Sequence, residues 1–426
     1  MSSATDRKFR YWQNRTLVGA MIGYIAFYFV RNSLSFAIPA MQADGYTKTN
    51  LGIFITLNGL LYGVSKFANG ILGDRANARV FMVTGLVLSA AANIIFGFGT
   101  SLIMLGAVWM ANGWIQGMGF PPCARLMTHW FPPEQLATKM SIWNTSHSIG
   151  MGLASIGCGY IVTHFGWHWG FFGPALLVLL LAATLWLVLR DTPGSVGLPE
   201  IATTGSTGAI SKQSFGEFMR FAGEHVFRNP YIWIIAVANF FVYTMRYSVL
   251  NWGPTMLTET RHVPLVGAGW MIAAFEISGV AGMLVAGRMT DKLFGGRGAR
   301  VCLICMVLAT LSMLLFWKLW ATAPVWLAML PLFLAGFFIY GPQALVGIAV
   351  ANLATKRAAA TAVGLTGLFG YGSALLTGWG LGKLAQTHGW GVALGAIAAT
   401  GLAGSLLFAF AWRAKAHGYG DASRPV

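Results

Sequence analysis

Charged side chains are scarce in this sequence, and acidic ones most of all. Of 426 residues only 12 are Asp or Glu and 28 are Lys or Arg, so charged residues make up 9% of the chain and hydrophobic residues 56%. The mean hydropathy of +0.64 lies far above that of a water-soluble domain. This composition excludes a water-soluble protein and indicates a chain surrounded by lipid.

Cysteine is also rare. Cys302 and Cys305 have the spacing of half a metal site, but the sequence has no second pair, and Cys123 and Cys158 stand alone. We interpret all four as small packing residues. Because no nucleophile with its base and no metal-ligand spacing is present either, the sequence predicts no enzyme, no metal and no cofactor.

Long apolar runs dominate the chain. Each is about 20 residues long, which is enough for a helix to cross a hydrocarbon core of roughly 30 Å. The runs cover residues 17–40, 51–74, 80–99, 102–124, 140–163, 168–189, 229–258, 266–288, 301–319, 325–352, 359–384 and 390–412. The sequence therefore predicts an all-α membrane protein with twelve transmembrane helices.

Basic residues are distributed unevenly between the two ends of these spans. Four precede the first span, namely Arg7, Lys8, Arg10 and Arg15. If alternate loops lie on the same side as these, only four basic residues fall on the other side, namely Lys48, Arg261, Lys318 and Lys383. The positive-inside rule then predicts that both termini are cytoplasmic. The net charge of +16 does not imply a nucleic-acid partner, because anionic lipid headgroups on one face of the membrane suffice to balance it.

A short motif recurs at the same place in each half of the chain. A glycine, an acid four residues later and a following base end the second and eighth spans, as Gly70, Asp74 and Arg75 and as Gly287, Asp291 and Lys292. The glycine lets helices approach closely, and the acid can cap or pair across helix ends. We therefore assign these charges a coupling or structural role.

The repeat predicts two pseudo-symmetric six-helix bundles. They comprise residues 1–190 and 229–426, and a polar cytoplasmic linker at 191–228 joins them.

Two arginines lie in the middle of corresponding spans, Arg31 in the first and Arg246 in the seventh. An arginine at this depth costs at least about 2.5 to 3.5 kcal/mol, so each must face water, a carboxylate or a ligand. Glu276 is the only acid well inside a span, and one acid cannot neutralise both arginines and Lys66. A phosphate suits the guanidinium fork. A structural ion pair or a carboxylate ligand remains the alternative.

Other polar residues within spans fit the same interpretation. Lys66 can contribute its charge or reach the interface, and His147, one turn after Asn144, can be structural or a donor to phosphate. Six further residues are either donors to the ligand or packing residues: Tyr24, Tyr28, Gln116, Tyr243, Tyr340 and Tyr371.

Seven motifs spread over both halves carry a family resemblance. They are Tyr28-Phe-Val-Arg31-Asn-Ser, Tyr62-Gly-Val-Ser-Lys66-Phe, Gln116-Gly-Met-Gly-Phe-Pro-Pro-Cys123, Trp143-Asn-Thr-Ser-His147, Tyr243-Thr-Met-Arg246-Tyr, Tyr340-Gly-Pro342 and Gly367-Leu-Phe-Gly-Tyr371. Together they resemble the organophosphate:phosphate antiporters of the major facilitator superfamily, and the resemblance to the superfamily covers all twelve spans.

The resemblance implies a cavity between the halves that opens to each side in turn. It also implies that Arg31 and Arg246 bind phosphate, that His147 and Lys66 assist, and that inorganic phosphate is the exchange partner. We expect a monomer in the bacterial inner membrane that carries a substrate of the glycerol-3-phosphate, sugar phosphate or phosphoglycerate class.

Two alternatives remain open at this point. One is a membrane sensor of a phosphorylated sugar, because the family contains such a protein. The other is proton symport, for which Glu276 and His147 are the only candidate proton carriers within spans.

Overall fold

The computed structural model describes residues 3–201, 220–221, 223–319, 324–354 and 359–414. In the first part of the chain the α-helices are α1 (Ser3–Phe29), α2 (Ser33–Ala43), α3 (Lys48–Arg75), α4 (Ala78–Gly97), α5 (Leu102–Gln116), α6 (Phe120–Trp130), α7 (Pro133–Phe165) and α8 (Trp169–Val188). Six follow: α9 (Pro230–Arg261), α10 (Leu265–Lys292), α11 (Gly298–Lys318), α12 (Val325–Leu353), α13 (Ala359–Gly372) and α14 (Leu381–Phe410). The described residues contain no strand.

Ten helical stretches in the described residues are long and apolar enough to cross a membrane. The fourth predicted span is not among them because it consists of α5 and α6, with 15 and 11 residues, and each helix alone is too short. One stretch, Thr361–Arg413, covers both of the last two predicted spans, and Gly389, with a φ of 77°, separates them. The predicted twelve-helix membrane fold is therefore confirmed.

Two spans are interrupted, the first where side chains of other helices bind its backbone and the fourth at a proline pair. The first span breaks between α1 and α2, where the Val30 carbonyl accepts hydrogen bonds from the side-chain amides of Asn93 and Asn112 at 2.9 and 3.0 Å. The fourth breaks before Pro121 and Pro122, because a proline has no backbone N–H to continue the helix from the preceding turn. The first break places Arg31 outside regular helix.

Contacts divide the chain into two compact units. Unit 1 comprises Met1–Tyr46, Leu57–Ala209 and Leu265–Ala273, and unit 2 comprises Thr47–Thr56, Ile210–Pro264 and Ala274–Val426. The start of α3 thus belongs to unit 2, and the start of α10 belongs to unit 1. The bundle limits expected from the sequence stay a prediction, and residues 202–219 and 222 of the predicted linker lie outside the described residues.

Glycines allow one pair of helices in each unit to pack backbone against backbone. In unit 1, a Cβ on Gly113 of α5 would lie 2.6 Å from the Asn58 backbone oxygen of α3. In unit 2, a Cβ on Gly282 of α10 would collide with the Phe337 carbonyl of α12. The same kind of contact therefore holds corresponding helices of the two repeats, as small residues do in membrane bundles.

An ion pair between Arg125 and Asp191 connects helices at one end of unit 1. Arg125 Nε and Nη2 each donate to one carboxylate oxygen of Asp191 at 3.1 Å, and the Ala78 amide at the start of α4 donates to the same carboxylate at 2.7 Å. Burial raises the pKa of Asp191, but the hydrogen bonds from Arg125 and Ala78 and the charges of Arg125 and His129 outweigh it and hold this pKa below its usual value. These contacts join α4 and α6 to the segment that follows α8.

Large apolar side chains stay exposed on the outside of the spans in both units. Leu180 in unit 1 and Leu284 in unit 2 are 69% and 72% exposed. Exposed apolar surface of this extent requires lipid as its solvent. The four cysteines are buried as thiols, which agrees with their interpretation as packing residues.

Candidate functional site

Arg31 lies at the break in the first span, surrounded by aromatic rings. Its guanidinium carbon is 4.8 Å from the ring centroid of Tyr28 and 4.5 Å from that of Tyr62. Its Nε donates to the Gln116 side-chain oxygen at 2.9 Å. Two cation–π contacts and one hydrogen bond therefore hold this side chain, which is half-buried.

An aromatic wall adjoins Arg31 and joins α1 to α7. Tyr24 and Tyr28 meet edge to face with centroids 5.6 Å apart, and Tyr24 lies 4.7 Å from the ring of Trp143. The His147 ring stacks on Tyr28 at 6.3 Å, and its Nδ1 lies 3.3 Å from the Ser148 hydroxyl. Of the residues predicted in this half, Tyr24, Tyr28 and His147 are thus brought together beside Arg31.

Lys66 belongs to the same aromatic group through Phe120. Its Nζ lies 5.0 Å from the Phe120 ring centroid, and Phe120 in turn packs edge to face on Trp143 at 5.6 Å. Lys66 is half-buried. Asn144 is exposed, one turn before His147 on α7. Lys66 therefore contacts the Phe120 ring, whereas the side chain of Asn144 is exposed.

In unit 2, Arg246 lies between two buried polar partners, Glu276 and Tyr340. One of its terminal nitrogens donates to the Glu276 carboxylate at 3.2 Å and to the Tyr340 hydroxyl at 2.5 Å. Arg246 is 4% exposed, and Glu276 and Tyr340 are fully buried. The one acid expected deep in a span is therefore the counter-ion of one of the two arginines.

Three tyrosines continue this arrangement on α9 and α13. The Arg246 guanidinium lies 5.3 Å from the Tyr247 ring, and Tyr247 packs on Tyr243 at 5.5 Å. Tyr243 meets Tyr371 edge to face at 5.8 Å. Arg246, Glu276, Tyr243, Tyr340 and Tyr371 thus form one connected group of predicted residues, and Tyr247 joins it although it was not predicted.

Two predicted ligand donors have partners that the sequence did not reveal. Gln116 uses its oxygen for Arg31, and Tyr340 accepts from Arg246, so both hold an arginine in place. Ser89 and Asn112, which support Gln116, were missed. A signal was available: Asn112 and Gln116 are polar residues one turn apart on an apolar helix.

The motif charges lie at the ends of α3 and α10. Asp291 and Lys292 are exposed where α10 ends. The side chains of Asp74 and Arg75 are outside the described part of the chain. In the described residues, no group of three or more His, Cys, Asp or Glu side chains is arranged to hold a metal ion.

Comparison with known proteins identifies the class. The model of the Major Facilitator Superfamily matches residues 20–378 and 236–422, and the chain belongs to this family. It is therefore an integral membrane protein of the transporter class and not an enzyme. A bacterial homologue of the human lysosomal transporter Spinster has the same fold, with a TM-score of 0.76 over 94% of this chain and 97% of its own, at 16% identity.

Relatives with higher identity define a narrower group. The chain is 37% identical to a probable hexose phosphate transport protein of Chlamydia pneumoniae, over 84% of this chain and 82% of the relative. It is 37% identical to the glycerol-3-phosphate transporter of Bacillus subtilis (strain 168), over 85% and 84%. It is 36% identical to the membrane sensor protein UhpC of Salmonella typhimurium, over 84% and 82%. The organophosphate family resemblance of the seven motifs is thereby confirmed.

Proposed function

We propose that the chain exchanges a phosphorylated small organic molecule for inorganic phosphate by alternating access. The charge balance within the spans carries the proposal: Arg31, Lys66 and Arg246 are cations, and Glu276 is the one acid set against them. A net positive interior favours an anion, and a guanidinium can present two parallel N–H groups to phosphate oxygens. The names of the hexose phosphate and glycerol-3-phosphate relatives support the same class of substrate.

Arg31 and Arg246 are the proposed phosphate ligands, and Lys66 and His147 assist with charge and hydrogen bonds. Tyr24, Tyr28, Tyr243, Tyr371 and Asn144 are proposed donors to the phosphate or to hydroxyls of the organic group. Glu276 is proposed as the charge that the anion displaces from Arg246, because both compete for the same guanidinium. The protein is proposed to act as a monomer in the bacterial inner membrane, with both termini cytoplasmic.

Exchange follows if the ligand stabilises the transition between inward-open and outward-open forms. An anion that binds the occluded form more tightly than the open forms lowers the barrier by the difference. A difference of about 2.7 kcal/mol makes the loaded carrier turn over roughly a hundred times faster than the empty one. The empty carrier then rarely changes between the inward-open and outward-open forms, so each molecule carried in one direction is exchanged for one carried in the other.

Vesicles containing the purified protein test this directly. Vesicles preloaded with phosphate should take up labelled phosphate or organophosphate quickly, and empty vesicles should take up almost none. Equal rates in loaded and empty vesicles, or uptake driven by a pH gradient alone, would contradict exchange. Competition by glycerol-3-phosphate, glucose-6-phosphate and phosphoglycerate against phosphate uptake then identifies the organic substrate.

A sensor is the second candidate, because the chain is 36% identical to a protein named as a membrane sensor. A sensor would bind organophosphate in detergent with normal affinity but would not fill preloaded vesicles. Binding and uptake measured on the same preparation therefore separate the two functions.

A further inference from the structure

A chain of hydrogen bonds lies behind Arg31 in unit 1. Arg31 Nε donates to Gln116 Oε1 at 2.9 Å, and Gln116 Nε2 donates to the Ser89 hydroxyl at 2.7 Å. The Ser89 hydroxyl donates to Asn112 Oδ1 at 2.5 Å, and Asn112 Nδ2 donates to the Val30 carbonyl at 3.0 Å. Gln116, Ser89 and Asn112 are each 1% exposed or less.

Every bond in this chain has its direction set by one backbone group. The Val30 carbonyl can only accept, so Asn112 must turn its NH₂ towards it and its oxygen towards Ser89. Ser89 has one proton, which goes to Asn112, and it therefore accepts from Gln116. The amide of Gln116 is then fixed with its oxygen towards Arg31. An acceptor is what an arginine Nε–H requires.

The same carbonyl ties this chain to the backbone that carries Arg31. Val30 lies directly before Arg31 in the break between α1 and α2, so its carbonyl takes side-chain donors. Asn93 also donates to it at 2.9 Å and to the Ser89 carbonyl at 2.9 Å. The network therefore holds both ends of Arg31, its backbone at the break and its side chain at Nε.

We propose that Ser89, Asn112 and Gln116 are positioning residues that fix the rotation of the Arg31 guanidinium for an anion. The inference rests on the proposed function, in which Arg31 binds phosphate. With Nε committed to Gln116, the remaining N–H groups keep one orientation, and two-point binding of an oxyanion depends on that orientation. Because the network already orders the Arg31 side chain, the ligand does not have to order it on binding. This raises the affinity roughly 2- to 13-fold.

The test measures the Kd of inorganic phosphate for the purified full chain in detergent. Ser89→Ala and Gln116→Met should each raise this Kd about fivefold, because each interrupts the same chain. The double variant should be no weaker than either single variant. The Kd of glucose-6-phosphate should rise by the same factor as that of phosphate, since both present a phosphoryl group to Arg31. Ser405→Ala is the matched control: Ser405 is a buried serine of α14 that bonds its own helix, and its replacement should leave the Kd unchanged.

A Kd unchanged in Ser89→Ala, or losses that multiply to about 25-fold in the double variant, would overturn the positioning role. If Ser89→Ala does not fold, Gln116→Met decides alone, and an unchanged Kd in that variant overturns the role. Arg31→Lys separates this result from the proposed function. Normal affinity in Arg31→Lys would refute phosphate binding by Arg31, whereas strong loss there with no effect of Ser89→Ala would refute the positioning role only.

Discussion

Replacing Glu276 by glutamine should tighten phosphate binding. Glu276 is fully buried, and its carboxylate lies 3.2 Å from the terminal nitrogen of Arg246, which also donates to Tyr340. Glutamine keeps the size of the side chain and an oxygen that can accept from Arg246, but it removes the negative charge. A bound anion then no longer competes with a carboxylate for the guanidinium.

The size of this effect follows from the geometry of the pair. An anion on the opposite edge of the Arg246 guanidinium would be about 6.5 Å from the Glu276 carboxylate, and at an effective dielectric constant of about 20 their repulsion is about 2.5 kcal/mol per unit charge. Allowing for screening, about 2 kcal/mol remains, which corresponds to a roughly 30-fold lower Kd for phosphate. Exchange in vesicles should become slower, because the anion leaves the tighter site more slowly.

Titration of the purified protein with phosphate measures the Kd, and thermal unfolding shows whether the variant is folded. The matched control is Glu259→Gln, because Glu259 forms an ion pair with Lys48 at 2.6 Å towards the far end of α9. This control should leave the Kd unchanged. A folded Glu276→Gln protein that binds phosphate with unchanged or weaker affinity would refute the idea that Glu276 competes with the anion.

Three further predictions test other parts of the molecule. Arg31→Lys and Arg246→Lys should each weaken phosphate binding at least tenfold while the protein still inserts, because lysine keeps the charge but lacks the two-point fork; wild-type exchange in either would contradict phosphate contact. A cysteine introduced beside Lys48 should react with membrane-impermeant reagents from outside and one beside Lys292 only from inside, and the reverse pattern would overturn the orientation. Asp191→Asn should lower the unfolding temperature at neutral pH, at a cost of roughly 1 to 3 kcal/mol. Folding lowers the pKa of Asp191, so its stabilisation is complete above the unfolded-state pKa of about 3.9 and is lost as pH falls through the lower folded pKa. The difference in unfolding temperature between wild type and variant should therefore begin to shrink below about pH 4 and disappear only below the folded pKa, and a constant difference at all pH values would refute the assignment.

The twelve spans could be predicted because lipid imposes a length and an apolar composition on each of them. The interruptions could not be placed from hydropathy. The run 102–124 is apolar enough to be predicted as one span, yet it breaks before Pro121, because the missing backbone N–H matters there more than the side-chain polarity. The break at Val30 depends on amides from two other helices, and a single apolar run carries no information about them.

The sequence predicted which residues form the candidate site, but it predicted only some of the contacts between them. An arginine in the middle of an apolar span is a strong signal, and it identified Arg31 and Arg246. Their partners come from distant parts of the chain: Arg246 meets Tyr340 across 94 residues, and Arg31 meets Gln116 across 85. Residue type also did not distinguish a residue that donates to the ligand from one that holds an arginine in place. Gln116 was predicted as a possible ligand donor, and the structure places it as an acceptor for Arg31.

The backbone contact at Gly282 limits how this protein can vary. A methyl group there would collide with the Phe337 carbonyl, and main chain cannot rotate away as a side chain can. Selection on a library randomised at Gly282 should therefore return glycine almost alone, while the neighbouring lipid-exposed Leu284 should accept almost any apolar residue. Tolerance to mutation along α10 would then alternate between near zero and near complete within a single turn, and hydrophobicity alone would not predict which positions are which.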